Sequence, residues 1–452
     1  MADSGTSGNR SDQAGKTNHG DWHWPVLEAW PSELFVFGGA TSDAAKQLLR
    51  HVLTLLGSSH QLSARDLAYS LAGRAGLLSA AEPSQLLQYA IVAGDLAELA
   101  DSIKLALADQ TSPTVQSRQV VEGQVALLFS GQGAQRVAMA GDLFAAFPHL
   151  RNRLAQAEQY LPFLFPPAAL TDQERSDQRA RITDTTVAQP LLGLVDLAIA
   201  DLLRSFGIEA DQVAGHSYGE LPALVYAGAF AEDQLLYLSR ARAEAILAAV
   251  GNDPGRMVAV RADAEQVGQV LAPLTDVWAV NLNAPRQTVV AGRSAAVADL
   301  LGKLDLAGLR YTELAVAAAF HTPLLQGADS SFAQVLEQVS FQQPAIPVWS
   351  NTTAQLYPTE PAAIRSRLAE HLVKPVLFTQ QIEAMYAAGV RLFIEAGPGG
   401  TLTGLAAQTL KGRQLVTIAP DRAGSNGVTE LLRALARYLA TGRTIAMDQL
   451  FA

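Results

Sequence analysis

Apolar residues in this chain fall into short continuous runs separated by stretches of helical spacing. Leu34-Phe35-Val36-Phe37, closed by Gly38-Gly39, predicts a short buried strand. Ala45, Leu48, Leu49, Val52 and Leu56 then recur at helical spacing between Ser42, a candidate N-cap, and Gly57. Two or three further helices are expected between Ser63 and about Val120, making a small α/β unit of residues 33–122. A second block opens with the strand Val125–Phe129, which runs into Ser130-Gly131-Gln132-Gly133. Pro190 is expected to open a helix where its missing N–H does no harm, with Leu191, Leu194, Val195, Ala198 and Leu202 on one face and Gly207 as the stop. Val213-Ala214 is a short strand that Gly215-His216-Ser217-Tyr218-Gly219 turns into the next helix. Strand and helix in alternation predict a parallel sheet covered by helices.

The rhythm changes from Met257 to about Ala319. Strand-like MVAVRA, helix-like AEQVGQVLAPL, strands VWAVNLN and QTVVAG, helix AAVADLLGKL and strand YTELAV give the order βαββαβ of a ferredoxin-like unit. It reads as an insertion in a larger α/β-hydrolase-like parallel-sheet body, to which strands at 348–350 and 391–395 return the chain. Thr429 to Ala452 reads as a helix and a short tail, and residues 1–24, polar and without periodicity, as a tail unable to bury enough surface to order itself. No internal repeat is visible.

Composition narrows the function classes. Apolar residues make up 49% and charged residues 17%, which fits two or three well-packed units. A formal charge of −10 argues against nucleic acid as a partner. The absence of Cys removes disulfides, Cys-ligated zinc and any thiol nucleophile. The apolar stretch Leu314–Phe320 is far shorter than the roughly 20 residues that span a bilayer, and the N-terminus lacks the apolar centre of a signal peptide. A soluble cytoplasmic protein, with no membrane partner and no metal, is the expectation.

Gly215–Gly219 fits G-x-S-x-G, a tight strand-to-helix turn that exposes the Ser hydroxyl at the carboxyl edge of a sheet. A helix N-terminus there stabilises negative charge. The competing reading is a chance Gly-Ser-Gly turn; placement after a strand and before LPALVYAGA favours the nucleophile. Among eight His, His321 stands out because it is expected to end the last strand of the insertion, in Ala319-Phe320-His321-Thr322-Pro323. A lone His after an apolar run is more often a packing residue than a base. No Asp or Glu announces itself as the third member of a triad, so a dyad oriented by a backbone carbonyl is at least as plausible.

Seven motifs occur in order: Gly131-Gln132-Gly133-Ala134-Gln135, Gln189-Pro190, Gly215-His216-Ser217-Tyr218-Gly219-Glu220, Arg242, Asn281–Pro285 with Thr288–Gly292, Ala319-Phe320-His321, and Glu395-Ala396-Gly397-Pro398-Gly399. Together, from about Gly123 to about Ala419, they resemble the acyltransferases that move malonyl groups between coenzyme A and acyl carrier protein, particularly the acyltransferase domains of type I polyketide synthases. LFVFGGAT with DLAYSLAGR resembles the linker after a ketosynthase, and RALARYLATGRTIAMDQLF the segment after an acyltransferase. The resemblance implies a tail (1–32), a ketosynthase-to-acyltransferase linker domain (33–122), a large subdomain (123–256 and 321–419), a ferredoxin-like small subdomain (257–320) and a closing linker (420–452), all part of a longer synthase with a ketosynthase upstream.

It also implies roles. Ser217 would carry malonate as an ester, His321 would shuttle its proton, and the carbonyl of His371 would orient the imidazole. The N–H groups of Gln132 and Tyr218 would form the oxyanion hole. Arg242, 25 residues beyond Ser217, would grip the free carboxylate of malonyl through its planar fork, against the plain reading of a solvated helix Arg such as Arg240. Phe320 would fill the space an α-methyl needs. Ala318 in place of the family's His, and the bulky Tyr218, resemble iterative synthases of the enediyne or polyunsaturated-fatty-acid type. Malonyl-CoA and an acyl carrier protein would be the partners, with coenzyme A and phosphopantetheine belonging to substrate and partner and no resident cofactor. A serine acyl hydrolase is the alternative; it shares Ser217 and His321 but has no use for Arg242. A catalytically idle docking module is a third reading.

Overall fold

Alternation of apolar and polar positions is absent from most strands of this protein because its sheets are covered on both faces. The computed structural model describes residues 29–58, 62–77 and 87–451. In chain order its strands are β1 (Glu33–Gly38), β2 (Leu87–Ala93), β3 (Val115–Ser117), β4 (Gln124–Phe129), β5 (Gln212–Gly215), β6 (Arg256–Val260), β7 (Val277–Ala284), β8 (Gln287–Gly292), β9 (Tyr311–Leu314), β10 (Val348–Ser350), β11 (Gln355–Leu356), β12 (Val390–Ala396) and β13 (Val416–Ile418).

The central sheet has the order β11-β10-β5-β4-β12-β13. Its strands run parallel except for the antiparallel edge pair β10–β11. The helix Thr185–Ser205 returns the chain from the β4 side to β5 and is buried along nearly its whole length. Asp184 caps it by accepting from the Thr186 N–H at 2.8 Å, so Pro190 lies inside the helix rather than at its start. The cap overrides Pro190 as the start signal. Gly207, at φ +76°, ends the helix in the left-handed conformation expected of a C-terminal glycine. Among the described residues this is the one helix long and apolar enough to cross a membrane, and 89% of its most apolar window is covered by protein.

Between β5 and β10 the chain builds the antiparallel sheet β7-β8-β6-β9, with the helices Ala264–Leu271 and Ser294–Leu306 packed against it. Strand order and directions are those of the ferredoxin-like arrangement predicted from the βαββαβ rhythm. The last strand is shorter than expected: β9 stops at Leu314, and Ala315–Phe320 is irregular.

The N-terminal unit departs further from expectation. Among the described residues between 63 and 120 it has two helices, Ala64–Arg74 and Leu96–Leu107, as many as the lower expectation, and two strands, β2 and β3, that the sequence reading did not include. β2 reads LQYAIVA with both faces buried, so it offers no period-two signal. Phe35, Phe37, Tyr89, Ile91 and Val115 pack under the unit's own helices, whereas Leu34, Val36, Ala90 and Val92 face the main core. Thr41, not Ser42, caps the first helix: its Oγ1 accepts from the Ala44 N–H at 3.2 Å, while the Ser42 hydroxyl meets Tyr89 Oη at 3.1 Å.

Residues 420–451 pack back on the N-terminal unit. The helix Gly427–Ala440 lies on the β1–β2–β3 sheet, and its end is tied to the segment before β4 by Gln119 N–H to Ala440 O at 2.7 Å and Val121 N–H to Thr441 O at 3.1 Å. The last turn returns to the N-terminal unit through Met447 N–H to Leu77 O at 3.1 Å. The tail expected over 1–32 falls mostly outside the described residues; within them, Trp30 packs on Phe147 at 5.4 Å between ring centroids and Ser32 bonds Thr429 at 2.9 Å.

Candidate active site

β4, β5, β10 and β12 all end at one edge of the central sheet, the edge where parallel sheets present their loops to ligands. Ser130–Gln132 follow β4, Ser217 follows β5 and Asn351 follows β10. The turn at Ser217 is built by the absence of side chains. A Cβ on Gly215 would overlap the carbonyl carbon of Gly219, one on Gly219 the carbonyl oxygen of Phe129, and one on Gly131 the carbonyl oxygen of His216. Three glycines therefore let the β4 loop and the β5 turn cross in backbone contact. Ser217 itself sits at φ +51°, a conformation costly for a side-chain-bearing residue and held here by its surroundings.

Asn351 supplies part of that hold. Its Oδ1 accepts from the Ser217 N–H at 2.6 Å, and its Nδ2 donates to Gly215 O at 2.8 Å and Gln381 Oε1 at 2.5 Å. Below the turn, the buried Glu220 carboxyl accepts from the Asn351 N–H and the Tyr357 hydroxyl. Burial pushes Glu220 up to about 7, against these hydrogen bonds and the Arg242 charge, which act the other way. Neither Asn351 nor Tyr357 was singled out from sequence; Asn351 follows a three-residue strand and belongs to no motif with a chemical signature.

Ser217 Oγ lies 2.7 Å from His321 Nε2, and His321 Nδ1 lies 3.0 Å from both His371 O and Lys374 O. Carbonyls only accept, so Nδ1 carries the proton and Nε2 offers its lone pair to the serine hydroxyl. No carboxylate takes part: the orienting groups are the two carbonyls, one of them that of His371. The chain reaches this point through a tight turn, with Phe320 N–H bonded to Ala318 O at 3.0 Å and His321 at φ +62°. His321 therefore belongs to a loop rather than to a strand end. Burial, reinforced by the Arg242 charge, depresses its imidazole to about 3, so the ring is neutral in the free protein.

Arg242, on the helix Leu235–Ala249, is 3% exposed. Its Nη1 donates to Gln189 Oε1 at 3.0 Å, and burial lowers it to about 10, still charged at neutral pH. Arg240 on the same helix is exposed and pairs with Glu244 at 2.7 Å. Gln189 Nε2 reaches Thr185 Oγ1 at 2.7 Å and Gln132 Oε1 at 3.4 Å, and Thr185 Oγ1 donates to Gln132 Oε1 at 2.8 Å. A polar chain thus links the cation to the loop after β4. That loop is also pinned from below, where Ser130 Oγ donates to the buried Asp196 Oδ1 at 2.7 Å. Gln132 lies in the loop after β4, and Tyr218 follows Ser217 in the turn after β5.

Tyr218 projects into the core, where its hydroxyl meets Ser239 Oγ at 2.6 Å and occupies the space a Cβ on Gly193 would need. Ala318 is fully buried, and Phe320 is half-buried between the main core and that of the small subdomain. His216 Nε2 meets Asn283 Oδ1 at 2.8 Å, tying the turn to β7. The arrangement joins a hydroxyl polarised by a neutral imidazole to a polar loop and a buried cation. It can move an acyl group that ends in a negative charge.

Comparison with known proteins points to acyltransferases. The model of the acyl transferase domain family matches residues 126–444. The malonyl CoA-acyl carrier protein transacylase of Bacillus subtilis (strain 168) is 34% identical over 303 residues, 66% of this chain and 93% of that protein. The spectinabilin polyketide synthase system protein NorB of Streptomyces orinoci is 32% identical over 373 residues, 80% of this chain but 17% of that protein, so the chain spans about a fifth or less of such a synthase. The acyltransferase domain from the second module of the salinomycin polyketide synthase superposes with a TM-score of 0.72 at 28% identity, covering 95% of this chain and 97% of that domain. With the family model covering most of the chain and the serine turn, histidine loop and inserted subdomain all in place, the protein belongs to the acyl transferase domain family.

Proposed function

We propose that this acyltransferase loads malonyl from malonyl-CoA onto the phosphopantetheine arm of an acyl carrier protein through a malonyl ester on Ser217. The observation that carries the reading is the buried, charged Arg242 joined to the loop beside the Ser217–His321 pair. Burying a guanidinium without a carboxylate is costly, and a substrate carboxylate would offset that cost.

In the first half-reaction Ser217 Oγ attacks the thioester carbonyl while His321 Nε2 takes its proton. Charge collects on the carbonyl oxygen, facing the N–H groups of Gln132 and Tyr218, where each donor is worth about 3–4 kcal/mol. The C–S bond breaks, the imidazolium returns its proton to the departing thiolate, and malonate remains on Ser217. The carrier thiol then gives its proton to His321, attacks the ester and releases Ser217, which recovers the proton. The His371 and Lys374 carbonyls hold Nδ1–H throughout. Pairing of the malonyl carboxylate with Arg242 would also cancel part of the charge that keeps His321 so weak a base, so the correct substrate raises its proton affinity. These steps call on no metal or resident cofactor.

Phe320, with Ala318 behind it in the chain, is assigned to exclude an α-methyl, a discrimination of about 1–3 kcal/mol, whereas the Tyr218 side chain turns into the core toward Ser239 and keeps only the role assigned to its N–H. The hydrolase reading leaves Arg242 idle. The unit 33–122 with the helix Gly427–Ala440 is read as one body connecting the acyltransferase to the other domains of a synthase, a ketosynthase upstream, in the cytoplasm where coenzyme A thioesters are made. The test is intact-protein mass spectrometry after brief exposure to equimolar malonyl-, methylmalonyl- and acetyl-CoA. A malonyl adduct absent in Ser217→Ala is expected; an acetyl or methylmalonyl adduct would overturn the roles of Arg242 and Phe320, and free malonate without transfer to a carrier would favour hydrolysis.

A further inference from the structure

A cleft of about 660 Å³ opens beside the loop after β4. Gln132 forms its inner end, the helix Asp172–Thr183 one wall, and Leu314–Val316, where the chain leaves the small subdomain, the other. Its charge is out of character for the molecule. In a chain of net charge −10, the lining holds Arg136, Arg175 and Arg179 and no Asp or Glu. Arg136 is committed to Asp421, with both carboxylate oxygens at 2.7 Å. Arg175 pairs with the exposed Asp172 on its own helix at 2.6 Å and donates to Ala169 O at 3.3 Å, exposed contacts worth little in water. The Arg179 side chain has no hydrogen bond or ion pair among the described residues.

The helix sets the cleft's direction. Thr183 O lies 3.5 Å from Gln132 Nε2, so the C-terminal turn touches the loop beside Ser217. Arg179 and Arg175 precede Thr183 by four and eight residues and lie on the same face, about 6 and 12 Å further from the loop. The opposite wall, with Leu314 and Val316, is apolar. A ligand matched to this cleft is an extended chain with its reacting end at Gln132, an uncharged middle against the apolar wall and a negative charge at its outer end.

We infer that Arg179 and Arg175 bind the phosphate at the outer end of the pantetheine arm. The inference rests on the acyl-transfer reading above. Both half-reactions bring the same chemistry to the site: a pyrophosphate when the arm belongs to acyl-CoA, a phosphodiester when it belongs to a carrier protein. One pair of guanidinium groups serves both, since planar forks pair with phosphate oxygens.

The test compares malonyl-CoA with malonyl-pantetheine, which has the same thioester and arm but no phosphate. In the Arg175→Ala/Arg179→Ala double variant, the ratio of kcat/KM for malonyl-CoA to that for malonyl-pantetheine should fall about tenfold, with most of the change in KM. Transfer to holo carrier protein should weaken in parallel, while Arg240→Ala, a control on another exposed helix, should leave the ratio alone. Loss on malonyl-CoA without loss on carrier protein would confine the site to coenzyme A and overturn the shared role. An unchanged ratio, or equal losses on both thioesters, would overturn the inference outright. If the unmodified protein instead fails to form a malonyl-Ser217 ester from either thioester, the acyl-transfer reading fails, and the two failures are told apart.

Discussion

The serine and the histidine of this site both hold a left-handed backbone conformation, but the protein enforces it differently at each. Ser217 is fixed by backbone against backbone: Gly131, Gly215 and Gly219 allow two loops to cross where any Cβ would overlap a main-chain atom. His321 is fixed by its own side chain, through Nδ1 to the carbonyls of His371 and Lys374, on a loop without regular structure. The first hold is mostly main chain, with Asn351 bracing it, and belongs to the fold. The second depends on one ring and can be removed without unmaking anything else.

The sharpest way to break this contrast is to add one methyl group at the serine turn and remove one ring at the histidine. Gly215→Ala sets a Cβ into the Gly219 carbonyl carbon, in the centre of the sheet, and should leave no folded protein in a circular-dichroism melt. His321→Ala should remain folded and lose about 10³-fold in the rate of acyl-enzyme formation, the scale of a missing general base. Quenched-flow mass spectrometry would measure it. A folded, active Gly215→Ala would show that the crossing can relax, and the contrast would not stand.

The same contrast explains what could be read from the sequence. Glycines flanking a serine are a local pattern with a local cause, and the buried strands β4 and β5 announced themselves as short apolar runs, so Ser217 was legible at once. The ferredoxin-like insertion was legible because its sheet is antiparallel with its elements in simple order. His321 was not decidable from its own neighbourhood, since the carbonyls that orient it come from 50 and 53 residues further on. Arg242 and Arg240 are two residues apart, and only the three-dimensional packing separates a buried cation from a solvated one. β2 and β3 escaped notice because β2 is buried on both faces and β3 has only three residues. Asn351 carries no chemistry of its own and acts through the geometry of Ser217.

Asn351 offers the next break. Alanine there would leave the Ser217 N–H and Gln381 without partners in a buried site, costing about 3–5 kcal/mol of stability. Chemical denaturation would register the loss, and acyl-enzyme formation should slow about tenfold as the serine turn loosens. A variant as stable as the parent would mean that the glycine crossing alone holds Ser217.

Glu220 gives the smallest and most selective test, because it lies beneath both arms. It accepts from Asn351 and Tyr357, and its Oε2 lies 3.5 Å from Nδ1 of His371, whose carbonyl orients His321. Burial raises its carboxyl from 4.5 to about 7, so between those values the folded protein binds a proton that the unfolded chain does not. Its contribution to stability is therefore fully present below about pH 4.5 and is lost as pH rises through 7. His321 titrates in the opposite sense, since its depressed imidazole makes the fold more stable as pH rises from about 3 to 6.5. The two partly cancel in the parent protein, but the difference between the parent and Glu220→Gln isolates the carboxyl. The parent's advantage over the variant should shrink by about 3 kcal/mol from pH 4.5 to 7.5. Urea unfolding at pH 4.5, 6.0 and 7.5 measures that difference, and a flat profile would mean that Glu220 stays ionised beneath the turn, with Tyr357 and Asn351 outweighing its burial.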